Sequence, residues 1–337
     1  MDSNDATETA VPEWFLIETL HPAAGPAVVA DGARRKSFAS VRRVRQHLGP
    51  AASSLFDEVI AACRTSSDRQ ERLLDTKRGP IRVIAIPVRT TTAAVLGVQM
   101  WAGPADMSPP ARRTVAASVW DFESMVAHQG PGLQGSILGI PAGEQRPTMM
   151  ATDFFQRVLR FDDWQGLMGL AAQFEDAAAW EGELSVRHGE SESRHLQLVS
   201  RAWIDNGFKR IRSLFHDISG ALPPAPSVDS ATMRAAAALS DDGIGRISLN
   251  SRFVYEWLTA PASPLDRWTR ERPTIDPDSA QALAHACDRL AADSERESVP
   301  LRVCFPGSGW VDADALLTLV SRDFPAQGLI KVTARRG

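Results

Sequence analysis

His216 and Asp217, in the run LFHDIS, form the dipeptide with which metal-dependent phosphohydrolases hold an ion. Such a dyad needs both side chains on one metal, with further His and Asp ligands converging from helices. Here IRSLFHDIS reads as the end of a strand, where successive side chains face opposite sides of a sheet. No catalytic metal is expected at this pair. His188 and His195 flank the acidic turn GESES and could approach each other across a hairpin. Two imidazoles are half a zinc site at best, since catalytic zinc usually takes three protein ligands, and a solvated loop tip is the simpler expectation. Cys63, Cys287 and Cys304 are far apart and form no CxxC, which argues against both a disulfide framework and a zinc site.

GPGLQG, Gly130–Gly135, satisfies the glycine spacing of a dinucleotide loop. The functional version must open a helix and carry an acidic residue about 20 positions later. The residues that follow, SILGIPAG, cannot start a long helix, so a plain loop is predicted. The run RRKSFASVRRVR, Arg34–Arg45, carries six cations, with no acidic residue between Asp31 and Asp57. Phe38, Val41, Val44 and Leu48 would share one arc of a 3.6-residue helix, leaving Arg42 and Arg43 outward as a possible partner contact. Without a helix-turn-helix pattern or interleaved aromatics, nucleic acid is the weaker reading of this patch. Trp164, in DDWQG, is a candidate pocket wall, and Cys287 falls on the apolar stripe of a helix as a small buried hydrophobe. The chain contains no G-x-S-x-G, H-E-x-x-H or Walker sequence, so no catalytic residues and no cofactor are assigned.

The elements around these residues come in three stretches. The chain has 337 residues, 44% hydrophobic, with a net charge of −4, which fits an ordinary globular chain without a field for nucleic acid or anionic membranes. No apolar run approaches the roughly 20 residues that span a bilayer, and a cytoplasmic protein is expected. Proline clusters at Pro109–Pro110 and in Leu222–Ser227 divide the chain. The division reads as a disordered tail over 1–12, a domain over 13–106, a linker over 107–114, a domain over 115–221, a linker over 222–228 and a third domain over 229–337. Each domain appears as a strand, helices and then a run of antiparallel strands, which predicts an α+β fold with helices packed on a sheet. The helix PDSAQALAHACDRLAAD should be capped by Asp276, with Pro277 in its first turn.

The stretch WEGELSVRHGESESRHLQLVSRAWIDNGFKRIRSLFHDIS resembles the second half of a PAS domain, with Trp180–Gly182 and Asp217–Ser219 at its two ends. With WFLIETL, PAVVADG, GVQMWAGPAD and VWDF, the chain resembles an actinobacterial sensor-only family with one GAF domain followed by two PAS domains. The resemblance implies a GAF-like, a PAS-like and a divergent PAS-like domain in tandem. It also implies a non-catalytic role in which small ligands or protein partners bias the domain arrangement, with no effector domain attached. Two alternatives stand beside it. One is a cryptic metal-dependent hydrolase around His188, His195 and His216, and the other a DNA-associated regulator using the Arg34–Arg45 patch.

Overall fold

The computed structural model describes residues 12–44, 50–76, 79–121, 124, 126–161, 163–190, 192–221, 228–240, 242–250, 252–269, 271, 273–322 and 326–335. Residues 1–11 of the expected tail and 222–227 of the second expected linker lie outside them. The chain folds as three antiparallel sheets in succession. The first contains β1 (Phe15–Glu18), β2 (Ala27–Asp31), β3 (Arg34–Ser40), β4 (Gln70–Thr76), β5 (Gly79–Arg89) and β6 (Val95–Pro104), in the order β3-β2-β1-β6-β5-β4. The second contains β7 (Val115–Asp121), β8 (Val126–Gln129), β9 (Thr148–Met150), β10 (Val158–Phe161), β11 (Ala179–His188), β12 (Glu192–Asp205) and β13 (Phe208–Asp217). Its order is β10-β11-β12-β13-β7-β8-β9. The third contains β14 (Gly243–Ser248), β15 (Phe253–Thr259), β16 (Thr274–Ile275), β17 (Arg296–Cys304), β18 (Trp310–Ser321) and β19 (Gln327–Ala334), in the order β15-β14-β19-β18-β17-β16.

The helices are fewer: α1 (Val41–Val44), α2 (Pro50–Ser66), α3 (Ala151–Phe155), α4 (Trp164–Gln173), α5 (Val228–Ala237) and α6 (Pro277–Ala292). This corrects the expected α+β architecture of three sensor-type domains, GAF-like, PAS-like and PAS-like, each built of helices on a sheet. The molecule is mainly strand, in three curled antiparallel sheets. One local reading accounts for part of the difference. The basic run predicted as a helix from Phe38 is strand β3 up to Ser40, and Phe38 itself has a φ of 43°. The run's expected helical arc gave way to a hairpin with the preceding strand, in which Asp31 pairs with Arg34 and Ala30 with Arg35.

The larger reason is tertiary. Alternation along β1 sends Ile17 toward α2, where it packs with Phe56, Val59 and Met100, and sends Leu16 to the opposite face. That opposite face does not meet water. Leu16, Val29 and Leu96 pack against Ala117, Val199 and Leu214 of the second sheet, forming a sheet-on-sheet core between the two units. On β6, a Cβ at Gly97 would meet the Leu214 side chain at 2.8 Å, so the glycine lets the sheets approach.

Several readings from sequence correspond to single elements. Asp276 caps α6 by accepting the Ser279 amide at 3.3 Å, with Pro277 in its first turn and Cys287 buried on its apolar face. Trp180-x-Gly182 has a packing reason. Residues two apart share a face of β11, and a Cβ at Gly182 would collide with the Trp180 ring, which lies back over it. Trp101 lies over Gly103 in the first sheet in the same way.

Candidate functional site

The second sheet carries the most distinctive site, and strand alternation builds it. One face presents Ser118 and Trp120 of β7, Ala127 and Gln129 of β8, and Ile211, Ser213 and Phe215 of β13. Phe154 and Phe155 from α3, Leu167 from α4 and Leu133 from a π-helical turn (Leu133–Ile137) close over that face. They leave a cavity of about 40 Å³, measured as the space open to the centre of a water-sized sphere. One water needs roughly 10–15 Å³ by that measure, so the space suits a few waters or one small ring.

The lining is apolar except at Ser118, Gln129, Ser213 and the indole nitrogen of Trp120. Ser213 Oγ is 2.8 Å from Ser200 Oγ, an internal hydrogen bond. Ser118 pairs across the strands with Gln129. The Gln129 side chain is 4% exposed, and its Nε2 donates to Met149 Sδ at 3.4 Å, while Oε1 is buried without a partner. A buried acceptor left unpaired costs about 1–3 kcal/mol. Gln129 is thus short of one hydrogen-bond donor.

Trp164, the candidate pocket wall, stands one ring behind the lining. It begins α4, is 3% exposed, and meets the cavity-lining Phe155 edge-on at 4.5 Å. Its other side is covered by Tyr255 of the third sheet, stacked at 4.5 Å with an interplanar angle of 10°. Tyr255 is 4% exposed and belongs to the apolar core of the second unit, although its hydroxyl donates to Gln327 of its own sheet at 2.8 Å. Burial pushes the Tyr255 hydroxyl well above its ordinary value of 10.

The other residues singled out from sequence do not converge on this cavity. His216 faces the first sheet, where its Nδ1 is 3.1 Å from Gln197 Oε1, and Gln197 Nε2 donates to the Val29 carbonyl at 2.8 Å. Burial and the nearby Arg113 push the His216 imidazole down to about 4, so it is neutral near pH 7. Asp217 turns back onto its own loop, accepting the Ser219 amide at 2.9 Å. His195 Nε2 is 2.7 Å from Glu183 Oε2, and His188 Nδ1 is 2.9 Å from the Ile137 carbonyl. Among the described residues no group of three or more His, Cys, Asp or Glu is placed to hold a metal ion. Gly130 is wedged against the Ala117 and Arg89 carbonyls, and Gly132 has a φ of 89°, so GPGLQG shapes a tight inter-unit turn.

The basic run is partly consumed. Arg35 reaches Glu181 at 2.7 Å and Glu183 at 3.2 Å on β11, and Lys36 is 3.8 Å from Asp31. Arg42 is exposed, and the side chain of Arg43 lies outside the described residues. Sequence reasoning missed Gln129 and Tyr255. The signals were an amide at an inward position of a short strand and the chain's single tyrosine.

Residues 13–111 match the family described as Rv3651-like, N-terminal. No curated protein matches the chain. Partial likenesses, at TM-scores of 0.26 and 0.27, reach the N-terminal domain of a diguanylate cyclase with PAS/PAC sensor from Marinobacter aquaeolei and a sensory box histidine kinase/response regulator from Burkholderia thailandensis. They are 15% and 16% identical, cover 32% and 37% of this chain, and take in 96% and 88% of theirs. No helix among the described residues is long and apolar enough to cross a membrane. A crystal structure of an uncharacterized protein from Mycobacterium tuberculosis is similar over 96% of both chains, with a TM-score of 0.67 and 20% identity, a likeness of fold alone.

Proposed function

We propose that the protein is a non-catalytic cytoplasmic sensor. Its second sheet holds a small, largely apolar ligand that carries one hydrogen-bond donor, and a partner protein reads the resulting arrangement of sheets. The carrying observation is the unpaired Gln129 Oε1 facing an apolar cavity. Catalysis would need a nucleophile, a base and an orienting group in reach of one another, whereas His188, His195 and His216 each hold a separate structural partner. The DNA reading loses force because Arg35 and Lys36 already have carboxylate partners.

Phenol is a suitable probe, with one ring for the aromatic lining and one O–H for Gln129. Titration by calorimetry should give saturable one-site binding to the full chain. Gln129→Leu should weaken it roughly tenfold, the worth of one buried hydrogen bond. Toluene, of the same shape without the donor, should bind more weakly and respond little to that substitution. Equal loss for both probes would show that Gln129 acts only in packing, and the proposed donor requirement would fall.

A further inference from the structure

Resting on that ligand reading, we propose that the third sheet senses whether the cavity of the second is occupied, through the contact chain Phe155–Trp164–Tyr255. Phe155 is part of the cavity wall and meets the Trp164 ring at an interplanar angle of 83°. Trp164 in turn lies flat on Tyr255. A close-packed interior does not let one ring shift while its neighbours stay, so a group that pushes Phe155 outward loads Trp164.

Trp164 has two ways to yield, and one is blocked. It is the first residue of α4, whose N-terminus is pinned by Asp163, which accepts the Gly166 amide at 3.0 Å and Trp180 Nε1 at 2.8 Å. The remaining release is the flat stack with Tyr255. That tyrosine moves with the third sheet, because its hydroxyl is bonded to Gln327 on β19 and its own strand is paired with β14. β15 is an edge strand lying along α3 and the edge strand β10, with no backbone pairing to β10 among the described residues. Side-chain contact therefore dominates this seam, and loss of the Tyr255 stack is its natural failure point. An occupant favours the undocked arrangement because the two arrangements differ in how far Phe155 can move.

The test is hydrogen–deuterium exchange on the full chain, followed in peptides covering 253–259. Saturating phenol should speed exchange there roughly tenfold, while β11, β12 and β13 keep their protection. Ala127→Leu fills the cavity beside Trp120 without any ligand and should produce the same change; Ala127→Val is the milder version should the leucine prevent folding. Coupling is reciprocal, so Tyr255→Ala should raise exchange on its own and tighten phenol binding by roughly the same factor. A cavity filled by leucine or valine in a folded second unit, with 253–259 unmoved, overturns the coupling. So does phenol affinity indifferent to Tyr255→Ala. Failure of phenol to bind the wild type counts against the ligand reading instead, and the filled-cavity variants still decide the coupling.

Discussion

The seam between the first and second sheets and the seam between the second and third are built from different chemistry. The first is a continuous apolar layer pierced by one buried ion pair. Arg201 donates to Glu18 Oε1 through Nε at 2.9 Å and Nη2 at 2.8 Å, with Glu18 fully buried. Glu18 Oε2 accepts the Leu20 amide at 2.8 Å, and Arg212 donates to the Leu20 carbonyl at 3.0 Å. Even the expected linker 107–114 is stapled, since Trp14 donates to the Pro110 carbonyl and Arg113 to the carbonyl of Ser219. The second seam holds the aromatic stack of Tyr255 on Trp164, Phe253 packed against the same core, and Arg187 donating to the Thr269 carbonyl at 3.4 Å. A seam of many interlocked contacts costs more to separate than one with fewer. The difference teaches that the first seam is the more interlocked of the two, and that the proposed response belongs at the second.

The largest effect should come from the ion pair. Arg201→Met leaves the Glu18 charge buried and unpaired, and should cost about 3–5 kcal/mol in urea unfolding of the full chain. Adding Glu18→Leu should recover most of that loss, because a buried pair replaced by apolar groups is often near neutral. An equally damaged double variant would mean that the pair itself, not the orphaned charge, holds the seam.

Acid should open the same seam next. The His216 imidazole is held down at about 4 against its ordinary 6.5, so the unfolded chain takes up the proton first. Its contribution is fully present above pH 6.5 and is lost as pH falls toward 4, by up to about 3 kcal/mol. Comparing urea midpoints of wild type and His216→Gln between pH 6.5 and about 5 isolates this group from most carboxylates. Parallel curves would remove His216 from the account.

The second seam should respond more gently to a conservative change. Tyr255→Phe keeps the stack and deletes the bond to Gln327, which should cost about 1 kcal/mol and raise exchange in 253–259 without affecting the first two sheets. A cooperative loss across all three would mean that the seams are not distinct. Smallest of all, Arg42→Glu should stay within about ±0.5 kcal/mol. A pull-down from native extract that weakens with salt and is lost in this variant would identify an acidic partner at Arg42.

Local features were legible where their causes are local. Asp276 and Pro277 start α6 because cap chemistry acts within one turn. The face of His216 and that of Asp217 follow from strand alternation, which spans two residues. The Arg34–Arg45 run was not legible as structure, because its helical arc lost to strand pairing and Arg35 finds its carboxylates 146 residues away or more. The candidate site divides the same way. Trp164 stood out by residue type, but nothing near Gln129 in sequence announces that its amide lines a cavity.

What the sequence determined alone is the capped start of α6 and the opposite facing of His216 and Asp217. Each rests on steric or hydrogen-bonding rules that act over a few residues. Tertiary structure alone decided that the open face of the first sheet is covered by the second, that Glu18 finds Arg201, and that Tyr255 of the third sheet completes a neighbour's core. Those outcomes depend on apolar area buried between segments far apart in the chain. A pattern read along the chain marks a face as apolar but does not name its partner, because burial is non-directional.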